Sequence, residues 1–268
     1  MATALRREDV GHGGLRLTID RPESRNALDL ALFDELEAEL VDAARSPEVR
    51  TIVLSGSGGT FSAGANLREL AAMGVQDSEA LFRRGQEVCR LFETLGKPTI
   101  AQVDGYALGG GFELCLAASC IVASSDARFG LPEAGLGLIP GYGGTQRLVR
   151  CVGRNRAYDV MLRGAWLDAA TAFEIGLLVV EPVPPEELDA RITELTAEFA
   201  TKSPSAIASI IRAVDAAYRL PIDAGLQFET ELAIAARQSS DGRLGIEKYL
   251  AKERPCFPGI SLDEGADA

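Results

Sequence analysis

Two glutamates in this chain, Glu113 and Glu133, each stand just behind a glycine-rich turn. Glu113 closes Gly109-Gly110-Gly111-Phe112-Glu113. Glu133 ends Phe129-Gly130-Leu131-Pro132-Glu133, shortly before Ile139-Pro140-Gly141-Tyr142-Gly143-Gly144. A third small-residue turn, Phe61-Ser62-Ala63-Gly64-Ala65, lies upstream. Carboxylates among apolar neighbours such as Phe112, Leu114 and Leu131 tend toward raised pKa values, which suit proton transfer near neutral pH. Glycine-rich turns let a ligand approach the main chain closely. Together these parts could hold a polarised carbonyl compound and move protons beside it. A lone helical Glu is ordinarily a solvated face residue, and spacing alone does not bring these two together.

The turns need elements to aim them. Leu15-Arg16-Leu17-Thr18-Ile19 alternates like a strand, and Asp29 is a plausible N-cap for an amphipathic helix carrying Leu32, Leu36 and Leu40. Thr51-Ile52-Val53-Leu54 reads as a buried strand, and a short helix Leu67 to Ala72 follows the first turn. A longer helix is expected from Ser78 to Leu95, then a strand Thr99 to Val103, a short helix with Glu113, and a strand Cys120 to Ala123. Strand, turn and helix thus cycle through the first two-thirds of the chain, an α/β layer pattern. Taken alone, the first turn is a tight strand-to-helix connection. Two such turns, each supplying an N–H, could form an oxyanion hole for a thioester or ester oxygen.

Beyond Glu181 the prolines Pro182, Pro184 and Pro185 interrupt the pattern. Helical spacing then dominates over Pro204 to Tyr218, Pro221 to Ser239 and Asp241 to Ala251. This places a core region at 1–200 and a helical region at 201–268. Three such helices need a partner surface, either the α/β part or another subunit. The acidic tail Ser261 to Ala268 is expected to fray.

Composition narrows the functional classes. The chain has 268 residues, 47% hydrophobic and 25% charged, with a net charge of −12. That balance disfavours a nucleic-acid or anionic-membrane surface, which needs clustered Lys and Arg. Its single histidine, His12, reads as a surface loop residue, so Ser-His or Cys-His catalysis would rest on one side chain and a His-rich metal site is ruled out. Five cysteines without C-x-x-C spacing read as buried free thiols. With no apolar segment near the ~18 residues of a membrane span and no leader-like start, a cytoplasmic protein is expected.

Several motifs together resemble the crotonase (enoyl-CoA hydratase/isomerase) family: Asn26-Ala27-Leu28, Phe61 to Leu67, Gly105 to Leu114, Pro132 to Leu148, and Lys252-Glu253-Arg254-Pro255-Cys256-Phe257-Pro258-Gly259. The likeness spans roughly residues 15 to 260 in order. It implies a spiral of ββα units followed by a C-terminal α-helical region, assembled as a homo-trimer or dimer of trimers. It maps the oxyanion-hole N–H groups onto Ala65 and Gly110, and the two glutamates flanking a water in the hydratases onto Glu113 and Glu133. The implied substrate is an acyl-CoA thioester. Ala63, Asn66, Leu67, Arg68, Gly141 and Lys252 fall at its substrate and CoA contacts. The coenzyme enters as part of the substrate, with no metal or further cofactor expected.

Two departures stand out. Asn66 replaces the family's usual Asp, a position read as structural. Asp241-Gly242-Arg243-Leu244-Gly245 lacks a Glu often found before the glycine. Retention of both glutamates favours a hydratase over the family's isomerases, dehalogenases, decarboxylases and hydrolases. An enoyl-CoA isomerase, a carnitinyl-CoA-like dehydratase, suggested by Phe112, and a non-catalytic thioester-binding oligomer are the remaining alternatives.

Overall fold

A computed structural model describes residues 3–257. The elements are, in chain order, β1 (Leu5–Asp9), β2 (Gly14–Ile19), α1 (Leu30–Arg45), β3 (Thr51–Gly56), β4 (Thr60–Ser62), α2 (Leu67–Ala72) and α3 (Val75–Thr94). There follow β5 (Thr99–Val103), β6 (Tyr106–Leu108), α4 (Gly110–Leu116), β7 (Cys120–Ala123) and β8 (Arg128–Gly130). The remainder is α5 (Gly144–Val152), α6 (Arg154–Arg163), β9 (Leu167–Asp168), α7 (Ala169–Glu174), α8 (Leu188–Ala200), α9 (Pro204–Ala217), α10 (Ile222–Gln238) and α11 (Ser240–Leu250).

Two sheets organise the site. One has the order β1-β2-β3-β5-β7 and the other β4-β6-β8-β9. Each of β3, β5 and β7 hands the chain to a short strand of the second sheet, and both triplets pair in parallel. The chain therefore coils three times, one strand of each sheet per coil. Adjacent strands lie about 4.8 Å apart. The segments leaving β4, β6 and β8, which carry Ala65, Glu113 and Glu133, are accordingly laid in a row.

Strand periodicity explains why the first sheet is covered on both faces. Ile52, Leu54, Ala101, Val103, Ile121 and Ala123 point into the main core with α1 and α3. The alternate residues Val53, Ile100 and Val122 pack on Leu188 and Ile192 of α8. Helix α1 starts where expected: Asp29 Oδ1 accepts from the Leu32 N–H at 2.9 Å. Helix α3 starts three residues before the expected Ser78, whose hydroxyl instead donates back to the Gly74 carbonyl at 2.9 Å.

Helices α9, α10 and α11 pack on one another, and α9 reaches α3 through an Arg90–Asp215 ion pair, with Nη2 to Oδ2 at 2.7 Å. Their outward faces keep Ile222, Leu226, Ile234, Ile246, Tyr249 and Leu250 exposed. His12 lies in an exposed turn, as expected. All five thiols are free, but the expectation that they are buried is corrected for two of them. Cys89 and Cys115 are buried, Cys120 is partly so, and Cys151 and Cys256 are exposed. The tail Ser261 to Ala268 lies outside the described residues.

Candidate active site

The first turn is fixed from both sides. Gly64, at φ 93°, occupies the left-handed region, and a Cβ there would come within 2.8 Å of the Leu108 carbonyl oxygen and 3.0 Å of the Gly110 nitrogen. Glycine is thus what allows this turn to lie against the next. Leu28 N–H donates to the Gly64 carbonyl at 2.9 Å, and Asn66 N–H donates to the Leu28 carbonyl at 3.0 Å. Between these bonds, the Ala65 N–H has no protein acceptor among the described residues. Asn66 caps α2, its Oδ1 accepting from Glu69 N–H at 3.3 Å. The structural reading of this position holds, because Asn caps a helix about as well as Asp.

The second turn lies one strand over. Gly109, at φ 51°, donates to the Gly130 carbonyl at 2.9 Å and accepts from Glu113 N–H at 3.0 Å. Gly110 opens α4, so its N–H has no intrahelical acceptor, nor any other among the described residues. Two unpaired donors, from Ala65 and Gly110, thus stand on abutting turns.

Glu113 is 1% exposed. Its Oε1 accepts from the N–H groups of Tyr142 at 2.9 Å and Gly144 at 2.6 Å. Burial pushes its carboxyl up to about 7; the Gly144 N–H opposes that shift, and the charge of Glu133 adds to it. Glu133 opens a 3-10 turn, Glu133–Leu136, and burial raises its pKa as well. Its Oε1 faces the second turn, since a Cβ on Gly109 would lie 3.0 Å from it. Its Oε2 is buried without a protein partner among the described residues.

Three residues that sequence reasoning did not single out shape this arrangement. Tyr142 wedges its ring between Gly85 and Gly110, where Cβ atoms would come within 2.3 and 2.4 Å of it, and meets Phe33 edge-on at 5.2 Å. Arg147 donates to the Tyr142 carbonyl at 3.1 Å and pairs with Glu93 at 3.1 Å. Gln86 donates to the Gly141 carbonyl at 2.8 Å. A bulky ring set among glycines was a usable signal for Tyr142, whereas Gln86 has no local signature.

The remaining expected residues divide. Ala63, Leu67 and Arg68 are exposed around the first turn, and Gly141 immediately precedes Tyr142, whose N–H with that of Gly144 holds Glu113. Lys252 stands exposed beyond α11 at φ 60°. Among the described residues no hydrogen bond or ion pair joins its side chain to the three turns. A cavity of about 1180 Å³ runs beside the site, bordered by Gly141, Tyr142, α3, α5 and α9, but neither glutamate lines it. Among the described residues no group of His, Cys, Asp or Glu could hold a metal, and no helix is long and apolar enough to cross a membrane.

Comparison with known proteins places the chain. The family model described as enoyl-CoA hydratase/isomerase matches residues 11–259. A 2,3-dehydroadipyl-CoA hydratase from Escherichia coli is 39% identical, with 91% of this chain and 95% of that protein aligned. A probable enoyl-CoA hydratase from Bacillus subtilis is 36% identical, covering 91% of this chain and 94% of its own length. The solved structure of an enoyl-CoA hydratase from Bacillus anthracis superposes with a TM-score of 0.91 at 30% identity, over 96% of this chain and all of that one.

Proposed function

The chain belongs to the enoyl-CoA hydratase/isomerase family and is an enzyme of that type; from that premise we propose that it hydrates a trans-2-enoyl-CoA reversibly to the 3-hydroxyacyl-CoA. The single observation that carries this reading is the row formed by the three turns. Two unpaired N–H donors abut, the helix opened by one of them carries the buried carboxyl of Glu113, and the carboxyl of Glu133 lies against Gly109.

In the proposed reaction the N–H groups of Ala65 and Gly110 donate to the thioester oxygen and draw charge toward it. That makes C3 of the enoyl group electrophilic. Glu113, ionised, takes a proton from water as the oxygen bonds to C3. The displaced π electrons reach the thioester oxygen as an enolate, which collapses as Glu133 delivers its proton to C2. The net change is one water added, and proton exchange with solvent resets the two carboxyl groups. A carboxyl held near 7 by burial suits the base, since its ionised form is both populated and basic near neutral pH. The raised pKa of Glu133 favours its carrying a proton. One oxyanion donor is worth roughly 10²–10³ in rate, and each proton-transfer group about 10²–10⁴.

Ala63, Asn66 and Leu67 supply main chain for the coenzyme A end of the substrate, and Arg68 and Lys252 supply charge for its phosphates. Gly141 lines the reacting end. The exposed apolar faces of α10 and α11 support assembly as a trimer or dimer of trimers, because such area is otherwise left to water. Neither proton transfer calls on a metal or a redox cofactor.

The test follows loss of the enoyl-thioester absorbance of crotonyl-CoA and longer enoyl-CoA thioesters for wild type, Glu113→Gln and Glu133→Gln. Each variant is expected to lose at least about 10²-fold in kcat. Wild-type turnover retained in either one would remove that glutamate from the mechanism.

A further inference from the structure

The loop that holds Glu113 is built from peptide groups that alternate in direction. In the peptide joining Gly141 to Tyr142, the N–H donates to Glu113 Oε1 at 2.9 Å, while the carbonyl accepts from Gln86 Nε2 at 2.8 Å. The next carbonyl, that of Tyr142, faces the other way and accepts from Arg147 Nη1 at 3.1 Å. In the peptide joining Gly143 to Gly144, the N–H donates to Glu113 Oε1 at 2.6 Å, and the carbonyl accepts from the N–H groups of Gln146 at 3.0 Å and Arg147 at 2.9 Å. Both peptides aimed at Glu113 thus carry a donor on their far end. For the second, that donor is helix α5 itself. For the first, it is one side chain, Gln86, projecting from α3.

We infer that Gln86 is a positioning residue for Glu113, acting through the Gly141–Tyr142 peptide. This deepens the hydratase reading and rests on it. A donor on a carbonyl polarises the whole amide, so that its N–H becomes a stronger donor at the opposite end; bonds in such chains strengthen each other. It also fixes the peptide plane, which glycine at 141 would otherwise leave free to rotate. Gln86 is itself exposed and stands at the border of the cavity beside the site, so its replacement leaves the core intact. It touches neither the proposed reacting atoms nor Glu113 directly.

The charged and titratable groups that face Glu113 are Glu133 from the turn after β8, Cys89 from α3, Tyr142 from the loop and Arg147 from α5. None of them is altered by changing Gln86. Removing the Gln86 donor weakens the hold on ionised Glu113, so the carboxyl takes up its proton at a higher pH. Ionised Glu113 is the active form, and the acidic limb of the rate profile should therefore move upward.

The experiment measures kcat/KM for crotonyl-CoA from pH 5 to pH 9 in wild type, Gln86→Met, Gln86→Lys and Glu113→Gln, with thermal melting of each. Gln86→Met should lose about two- to tenfold below the acidic midpoint, the range of one net hydrogen bond, and much less well above it. Gln86→Lys restores a donor to the Gly141 carbonyl and should return the limb to the wild-type position or below it. A Gln86→Met profile with the wild-type midpoint, or a loss equal at every pH, overturns the inference while leaving the hydratase reading intact. An active Glu113→Gln variant would instead overturn the reading beneath it.

Discussion

Gly144→Ala probes the hold on Glu113 through one methyl group. A Cβ at this position would lie 2.9 Å from Glu113 Oε1, 3.0 Å from its Cγ and 3.2 Å from Leu131 Cδ1. Ordinary carbon contacts begin near 3.5 Å, so the carboxyl group must retreat by roughly half an ångström or more. It accepts from the Gly144 N–H at only 2.6 Å, on the same residue that gains the methyl group. That bond cannot survive unchanged. A hydrogen bond to a charged group contributes about 1.5–3 kcal/mol, and its loss or distortion predicts a fall in kcat/KM of roughly ten- to a hundredfold at 1.36 kcal/mol per decade. Gly144 opens α5 with an ordinary helical backbone, where Ala is favoured by up to about 1 kcal/mol. The signature is therefore a catalytic loss out of proportion to any change in stability. Initial rates with crotonyl-CoA, set beside urea unfolding of the same samples, measure both. A variant within twofold of wild-type kcat/KM would refute the placement of Glu113 as the working base.

Two further outcomes follow from the same geometry. Glu113 titrates near 7 in the fold against an ordinary 4.5, so its contribution to stability is fully present below about 4.5 and is lost as pH rises through 7. Glu113→Gln should therefore gain about 3 kcal/mol relative to wild type between pH 4 and pH 9; unfolding at fixed protein concentration reads it, and a pH-independent offset counts against a buried, ionising Glu113. Asn66→Ala should cost about 1 kcal/mol through loss of the α2 cap, whereas Asn66→Asp retains it. Equal melting of the two variants would argue that the cap carries no weight.

Much of this architecture could be read from local pattern. Asp29, the 3.6-residue spacing of Leu32, Leu36 and Leu40, and the strands Thr99–Val103 and Cys120–Ala123 announce themselves because propensity and burial agree there. Strands β4, β6 and β8, three residues each, are too short to show alternation, and β1 carries a single apolar residue in Leu-Arg-Arg-Glu-Asp. Yet those short strands are what align the turns. Glu113 was legible because its turn and its apolar neighbours are contiguous. Its dependence on Gln86 was not, since that contact spans 55 positions and is made through a backbone carbonyl. The exposure of Cys151 was hidden for a similar reason: it borders the cavity between α5 and α9, and residue type alone favours a buried thiol.

The parallel pairing of β4, β6 and β8 has a consequence for how such a molecule can diversify. Each winding of the chain brings its own tip to a common bench: a free N–H from the first, a free N–H and a buried carboxyl from the second, another carboxyl from the third. Because register between the windings is held by backbone rather than by the tools themselves, one implement can be exchanged without disturbing where its neighbours lie. New reactions would then arise by replacing a single tip, with the scaffold left as it was.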